Sequence, residues 1–247
     1  MTMSVTAVLR SEWIKIRSVR ASFGSLLAIL VVTLLFTLPL YATEGQAEAG
    51  SDGDVVFGAF QAIYFAQIAA IAFGAVAVSS EYANGALRVS LSAVPNRSLF
   101  YGARTTVVAA AALLVGLVTA FTTFLVGQAL LGEDAIGLGE PGALRACVGA
   151  GIHLALLALF AAGLTFLLRS AVLVLGLLVP FILIVSFVIG DAAGKAVEFL
   201  PDRAGQQVLY QQTPAGGIGP WPGLAVTALW AAAALLAGLW AVRRRDA

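Results

Sequence analysis

The chain is poor in charge. Charged side chains make up 11% of its 247 residues, against about 25% in a typical soluble domain. So few charges cannot cover a water-facing surface. With 60% hydrophobic residues, the expected solvent is lipid. The net charge of +1 includes no basic stretch dense enough for a phosphate backbone, so nucleic acid is not an expected partner. A single cysteine, Cys147, excludes an intrachain disulfide and a cysteine zinc cage. A single histidine, His153, cannot supply the paired histidines of a metalloprotease helix. A Gly-x-Ser-x-Gly nucleophile elbow is absent. The nearest approach to a phosphate-binding loop runs from Gly190 to Ala196. It lacks one spacer residue and the final hydroxyl. No apolar run carries a pair of carboxylates, so no proton relay is expected. The first apolar run is too long, and too poor in cleavage signal, for a removable leader. The chain is therefore not expected to be an enzyme or to hold a cofactor or metal of its own.

What is present is long apolar segments. Residues 4–20 read as an amphipathic helix with Val5, Val8, Leu9, Trp13, Ile16 and Val19 on one arc. Lys15 and Arg17 fall away from that arc, while Glu12 borders or interrupts it. Such a helix suits the plane of an anionic membrane surface, with Leu9, Trp13, Lys15, Ile16 and Arg17 as its contacts; the plainer reading is the basic flank of a first span. Spans are expected at about 23–41, 55–78, 105–131, 142–168, 171–190 and 224–242, each near the length that crosses about 30 Å of hydrocarbon. In the second, Ala66, Ala70 and Gly74 share one face suited to close helix packing. Pro180 predicts a kink in the fifth. Arg169-Ser170 reads as a tight turn, and Val197–Gln212 as a surface segment with a short helix. The expected fold is all-α, one polytopic membrane domain over 1–247, with no internal repeat. Abundant alanine and a preference for arginine over lysine fit a GC-rich bacterial genome.

Charge orients the spans. One side would carry the N-terminus, residues 79–104, Arg169 and the C-terminus, with eleven of the fourteen basic residues. The other side, including the 191–220 segment, keeps only Arg145, Lys195 and Arg203. The excess of Lys and Arg makes the first side cytoplasmic, with both termini inside a bacterial plasma membrane.

Between spans two and three lies a polar, basic island, residues 79–104. Asn84-Gly85 is a turn signal that can end the second span and start a short separate helix. Leu87 and Leu91, four apart, would form its apolar knob, and Pro95 would close it. Arg88 and Arg97 would pair with acidic groups on a partner or with Glu81. The plain alternative is a loop whose arginines only set topology. The polar residues Gln61, Gln67, Thr122, Gln128, His153 and Ser186 are read either as bonds between helices or, if several face one cavity, as a translocation path.

The run Glu81–Arg88 (EYANGALR), then Leu91-Ser92, Pro95 and Arg97, then Gly102–Arg104, resembles the first cytoplasmic loop of permeases of the type-2 export class of ABC transporters. That family's loop reads approximately Glu-x-x-x-Gly-Thr-Leu-Arg; here Ala86 replaces the usual Thr. Glu12 to Arg17 looks like the same family's opening, commonly Glu-x-x-Lys-x-x-Arg. The resemblance implies a permease subunit paired with a second permease chain, the same or different, and with two copies of a cytoplasmic ATPase that holds the ATP and Mg. It implies that Glu81, Asn84, Gly85, Leu87, Arg88, Leu91, Ser92, Pro95 and Arg97 receive force from that ATPase. The cargo would be an amphipathic or hydrophobic drug, antibiotic, peptide or lipid moved outward. The alternatives are a membrane anchor or sensor without transport, and a secondary carrier.

Overall fold

A computed structural model describes residues 4–43, 54–132, 135–185, 194–213 and 216–245; Ser186 and the side chain of Asn84 lie outside the described part. Every regular element among the described residues is helical. In chain order these are α1 (Val5–Ser18), α2 (Arg20–Thr43), α3 (Val55–Gly58), α4 (Ile63–Ser79), α5 (Ala86–Ala93), α6 (Arg97–Leu131), α7 (Ala143–Leu168), α8 (Ala171–Pro180), α9 (Pro201–Gln206) and α10 (Pro220–Arg244).

Among the described residues, four helices are long and apolar enough to cross a bilayer: Arg20–Tyr41, α6, α7 and α10. Two expected spans are shorter in their described part, residues 186–190 of the fifth lying outside it. The second is broken into α3, a turn and the 17-residue α4. The fifth leaves the α-helical pattern at Pro180 and continues as a π-helical turn, Phe181–Val185. Proline cannot donate to the ladder, so the hydrogen bonds shift where it enters. The third expected span starts eight residues early, at Arg97. Its 35 residues make a rod of about 52 Å, longer than the hydrocarbon is thick.

Helix α7 is the centre, packed against α4, α6 and α10. Its small residues let neighbours come close. A methyl added at Gly74 of α4 would strike the Ala158 carbonyl, and one at Gly163 would lie 2.6 Å from the α10 backbone at Ala234. Ala66 and Ala70, on the same face of α4 as Gly74, are fully buried. Sharp reversals join the helices. Arg169 takes the left-handed conformation, φ 56°, and the Ser170 hydroxyl accepts from Leu173 N–H to start α8.

Polar contacts divide the bundle into two ends. At one, Arg97 Nη1 donates to the carbonyls of Val242 (3.0 Å) and Arg245 (2.6 Å), and Arg245 Nη1 donates to Leu167 O at 2.7 Å. Helix α1 and α5 lie at that end too, through contacts described below. At the other end, Arg145 Nη2 donates to Gln211 O at 3.0 Å, and Asp54 Oδ2 accepts from Gln211 N at 2.6 Å.

The segment 194–213 departs from expectation. It does not rest on a surface; most of it is inserted among the helices. Val208 and Leu209 are fully buried, as are Ala204 and Gly205. A side chain at Gly149 would strike Val208, and one at Gly205 would strike His153. Val208 and Ala204 fit against α7 and α10 because Gly149 and Gly223 leave room for them, whereas Phe199 stays exposed.

Candidate functional site

The island folds into a short surface helix above a buried charged cluster. Gly85 takes φ +73°, a conformation that glycine adopts without strain, and there the chain leaves a tight turn and enters α5. The helix ends at Ala93, before Val94 and Pro95. Asn96 then accepts from the N–H groups of Ser98 and Leu99, both at 3.1 Å, and starts α6. An asparagine there satisfies two donors that the first turn cannot pair internally.

The apolar knob is turned inward. Leu87 is buried and Leu91 packs against the same core. What α5 presents outward is Arg88, Val89 and Ser92, with Val89 70% exposed. A stripe of leucines four apart marks an apolar face, and in this chain the core claims that face.

Beneath α5, four charged side chains meet: Glu12 and Lys15 of α1, Glu81 of the turn after α4, and Arg104 of α6. Arg104 of α6 donates through Nη1 to Glu12 Oε2 at 2.8 Å. Its Nη2 donates to the Ala77 carbonyl and to Ser80 Oγ at 3.0 Å, and lies 3.4 Å from Glu81 Oε1. Lys15 of α1 donates to Glu12 Oε1 at 2.7 Å, to Glu81 Oε2 at 3.3 Å and to Ser90 Oγ of α5 at 2.9 Å. Ser90 in turn donates to Glu81 Oε2 at 2.8 Å. The Lys15 ammonium also lies 5.6 Å from the centre of the Phe100 ring. Arg104, Glu12 and Glu81 are each under 5% exposed. Two carboxylates balance two cations, the condition under which charges tolerate burial; Arg104 Nε alone has no hydrogen-bond partner among the described residues.

Several expectations change here. Of the two readings of Glu12, it interrupts the apolar arc instead of bordering it: it lies in the buried stripe Val8, Glu12, Ile16 that docks α1 on α6. The arc therefore splits. Ile16 is buried and Leu9 partly so, while Val5, Trp13 and Ile14 are exposed and Arg17 faces solvent. Glu81 pairs with Lys15 and Arg104, not with Arg88 or Arg97. Arg97 instead holds the end of α10. Sequence reasoning gave Arg104 no role beyond topology and left Ser90 out. The available signal was a carboxylate on an apolar stripe, which demands a buried cation.

The expected path residues do not converge. Gln61 and Gln67 line a cavity of about 490 Å³ between α2, α4, the π-helical turn and α9. Gln67 Oε1 also accepts from Gln206 Nε2 at 3.1 Å. Of the other described ones, Thr122, Gln128 and His153 lie outside its lining. Thr122 is half-buried on α6. Gln128 accepts from Ile136 N at 2.7 Å and anchors the loop before α7. His153 is fully buried against Gly205, and neither ring nitrogen has a partner among the described residues, so it makes no bond between helices there. No group of three or more metal-ligating side chains occurs among the described residues.

No protein-family model matches the chain, and no curated protein or solved structure matches it significantly.

Proposed function

We propose that this chain is the permease subunit of an ATP-driven exporter in a bacterial plasma membrane, and that α5 takes up force from a separate cytoplasmic ATPase. The observation that carries the reading is the joining of α5 to the charged cluster. Its outer face, Arg88, Val89 and Ser92, is exposed. Its inner face is fixed by Leu87 in the core and by Ser90 on Glu81 and Lys15. A load on α5 would thus reach α1, the end of α4 and the start of α6 together. Packed elements move as bodies when their contacts are closed in this way.

The sidedness of charge supports the same reading. The end that carries α5 also carries the arginines of α1 and the C-terminal arginines, and such an excess faces the cytoplasm. In this scheme the chain crosses six times, α4 and α8 with its π-helical turn supplying the two shorter crossings. It works as a pair of permease chains with two ATPase copies, and ATP and Mg stay on the ATPase. The cargo is amphipathic or hydrophobic.

The test is export from inverted vesicles holding the chain and its ATPase. ATP-driven accumulation of an amphipathic dye is expected, and Val89→Asp or Arg88→Glu should abolish it while the chain stays folded. Accumulation driven by an ion gradient without ATP, or accumulation unchanged in both variants, would overturn the proposal.

A further inference from the structure

We infer that the cavity beside α2 is a binding site for a single-chain amphiphile with a zwitterionic head, entered from the bilayer. Its volume of about 490 Å³ lies in the range of small-molecule sites. The exposed members of its lining are apolar. Phe36 of α2 stacks on Phe65 of α4 with ring centroids 3.7 Å apart. Both are 40% exposed, and Leu183 of the π-helical turn is 50% exposed. An apolar rim on helices of this kind meets hydrocarbon, so a chain can enter from the side.

The inner lining is polar and carries both signs of charge. Gln61 and Gln67 come from the α3–α4 segment, and Asp202 and Arg203 from α9. Asp202 is 1% exposed. A buried carboxylate beside a guanidinium suits a head that brings one charge of each sign. A head of single charge would meet a like charge in a poorly solvated space, where repulsion is weakly screened. The glutamines add neutral donors and acceptors beside the charges.

The polar wall is held in place before any ligand arrives. Thr227 Oγ1 donates to Pro201 O at 2.9 Å, immediately before Asp202. Trp230 Nε1 donates to Phe199 O at 2.9 Å, and Gln206 Nε2 to Gln67 Oε1 at 3.1 Å. The kink at Pro180 turns Ile182 and Leu183 to face it. A preformed wall of this kind lowers the ordering cost of binding. The inference concerns binding by the chain alone and stands or falls apart from the export reading.

The test is photolabelling of the purified full chain in nanodiscs with a diazirine-bearing lysophosphocholine, read by peptide mass spectrometry. Label is expected within residues 57–67 and at 182–183 and 202–203. Leu183→Trp at the rim and Ala62→Phe in the wall should each lower it about tenfold, and an anionic lysophosphatidic acid probe should label about tenfold less. Label spread evenly over the lipid-facing helices, label indifferent to Leu183→Trp, or equal labelling by the anionic probe would overturn the inference. So would absence of label because a second copy covers the cavity. No ATPase is present, so failure here leaves ATP-driven export untouched, and failure of export leaves this binding untouched.

Discussion

Removing Glu12 tests the charged cluster directly. In Glu12→Leu, Arg104 loses its 2.8 Å acceptor and Lys15 its 2.7 Å one. Lys15 is 34% exposed along its side chain, so its share should resemble a surface pair, about 1 kcal/mol or less. Arg104 is 1% exposed and cannot turn to water. Breaking a buried pair by removing one partner costs about 3–5 kcal/mol. Arg104 keeps Ala77 O, Ser80 and a longer contact to Glu81, which places the loss near the lower figure, about 3 kcal/mol. At about 2–4 °C per kcal/mol for a chain of this length, the thermal midpoint should fall by roughly 6–12 °C. The sign of the double variant is more telling. Glu12→Leu alone leaves an excess cation, and Arg104→Met alone an excess carboxylate. Together they leave Lys15 and Glu81, 3.2 Å apart and in balance. The double variant should therefore lose less than the sum of the two single losses, with a coupling of about 2 kcal/mol. The assay is tryptophan-fluorescence melting of the purified chain in nonionic detergent. Single losses under about 1 kcal/mol, or a double loss equal to the sum of the singles, would refute a dry, mutually dependent cluster.

Three further outcomes follow from the packing. Gly74→Ala should destabilise by about 1–3 kcal/mol, because the new methyl meets the α7 backbone at Ala158, whereas Gly24→Ala, with open space around it, should be neutral or stabilising by up to about 1 kcal/mol; melting curves of the two decide. Arg145→Ala removes the clamp on the carbonyls of Tyr210 and Gln211, so amide exchange across 207–212 should rise while that of α7 stays slow. Gln128→Leu frees the Ile136 N–H and should cost about 1 kcal/mol, with faster exchange confined to the loop before α7.

Much of the scaffold was legible because its signals are local. The face of Ala66, Ala70 and Gly74 is a matter of helical spacing; all three are buried, and Gly74 meets α7 at Ala158. Pro180 disturbs its own helix, and Arg169-Ser170 reverses the chain with its own backbone and side chain. Long-range pairing was not legible. Glu12 and Arg104 are 92 positions apart, and nothing in either neighbourhood names the other. The direction of α5 was hidden for a different reason. Periodicity shows that Leu87 and Leu91 share a face, but a core and a partner attract that face equally well. The same ambiguity misplaced Val208 and Leu209, which would suit a lipid surface as readily as the groove they fill. Polar residues in apolar helices also look alike in sequence, although Gln61 and Gln67 reach a cavity while His153 and Gln128 do not.

The central claim is that the outer face of α5 docks an ATPase. The most direct measurement is site-specific crosslinking at Val89→Cys in native membranes, using the full chain with Cys147→Ala so that one thiol remains, followed by mass spectrometry of the adduct. The account predicts an ABC-type ATPase joined through Cys at this position, with the adduct lost when Arg88→Glu is added and absent when the thiol is moved to the inward Leu87. An unchanged adduct in the presence of Arg88→Glu, or no ATPase adduct while the chain remains folded in the membrane, would contradict it.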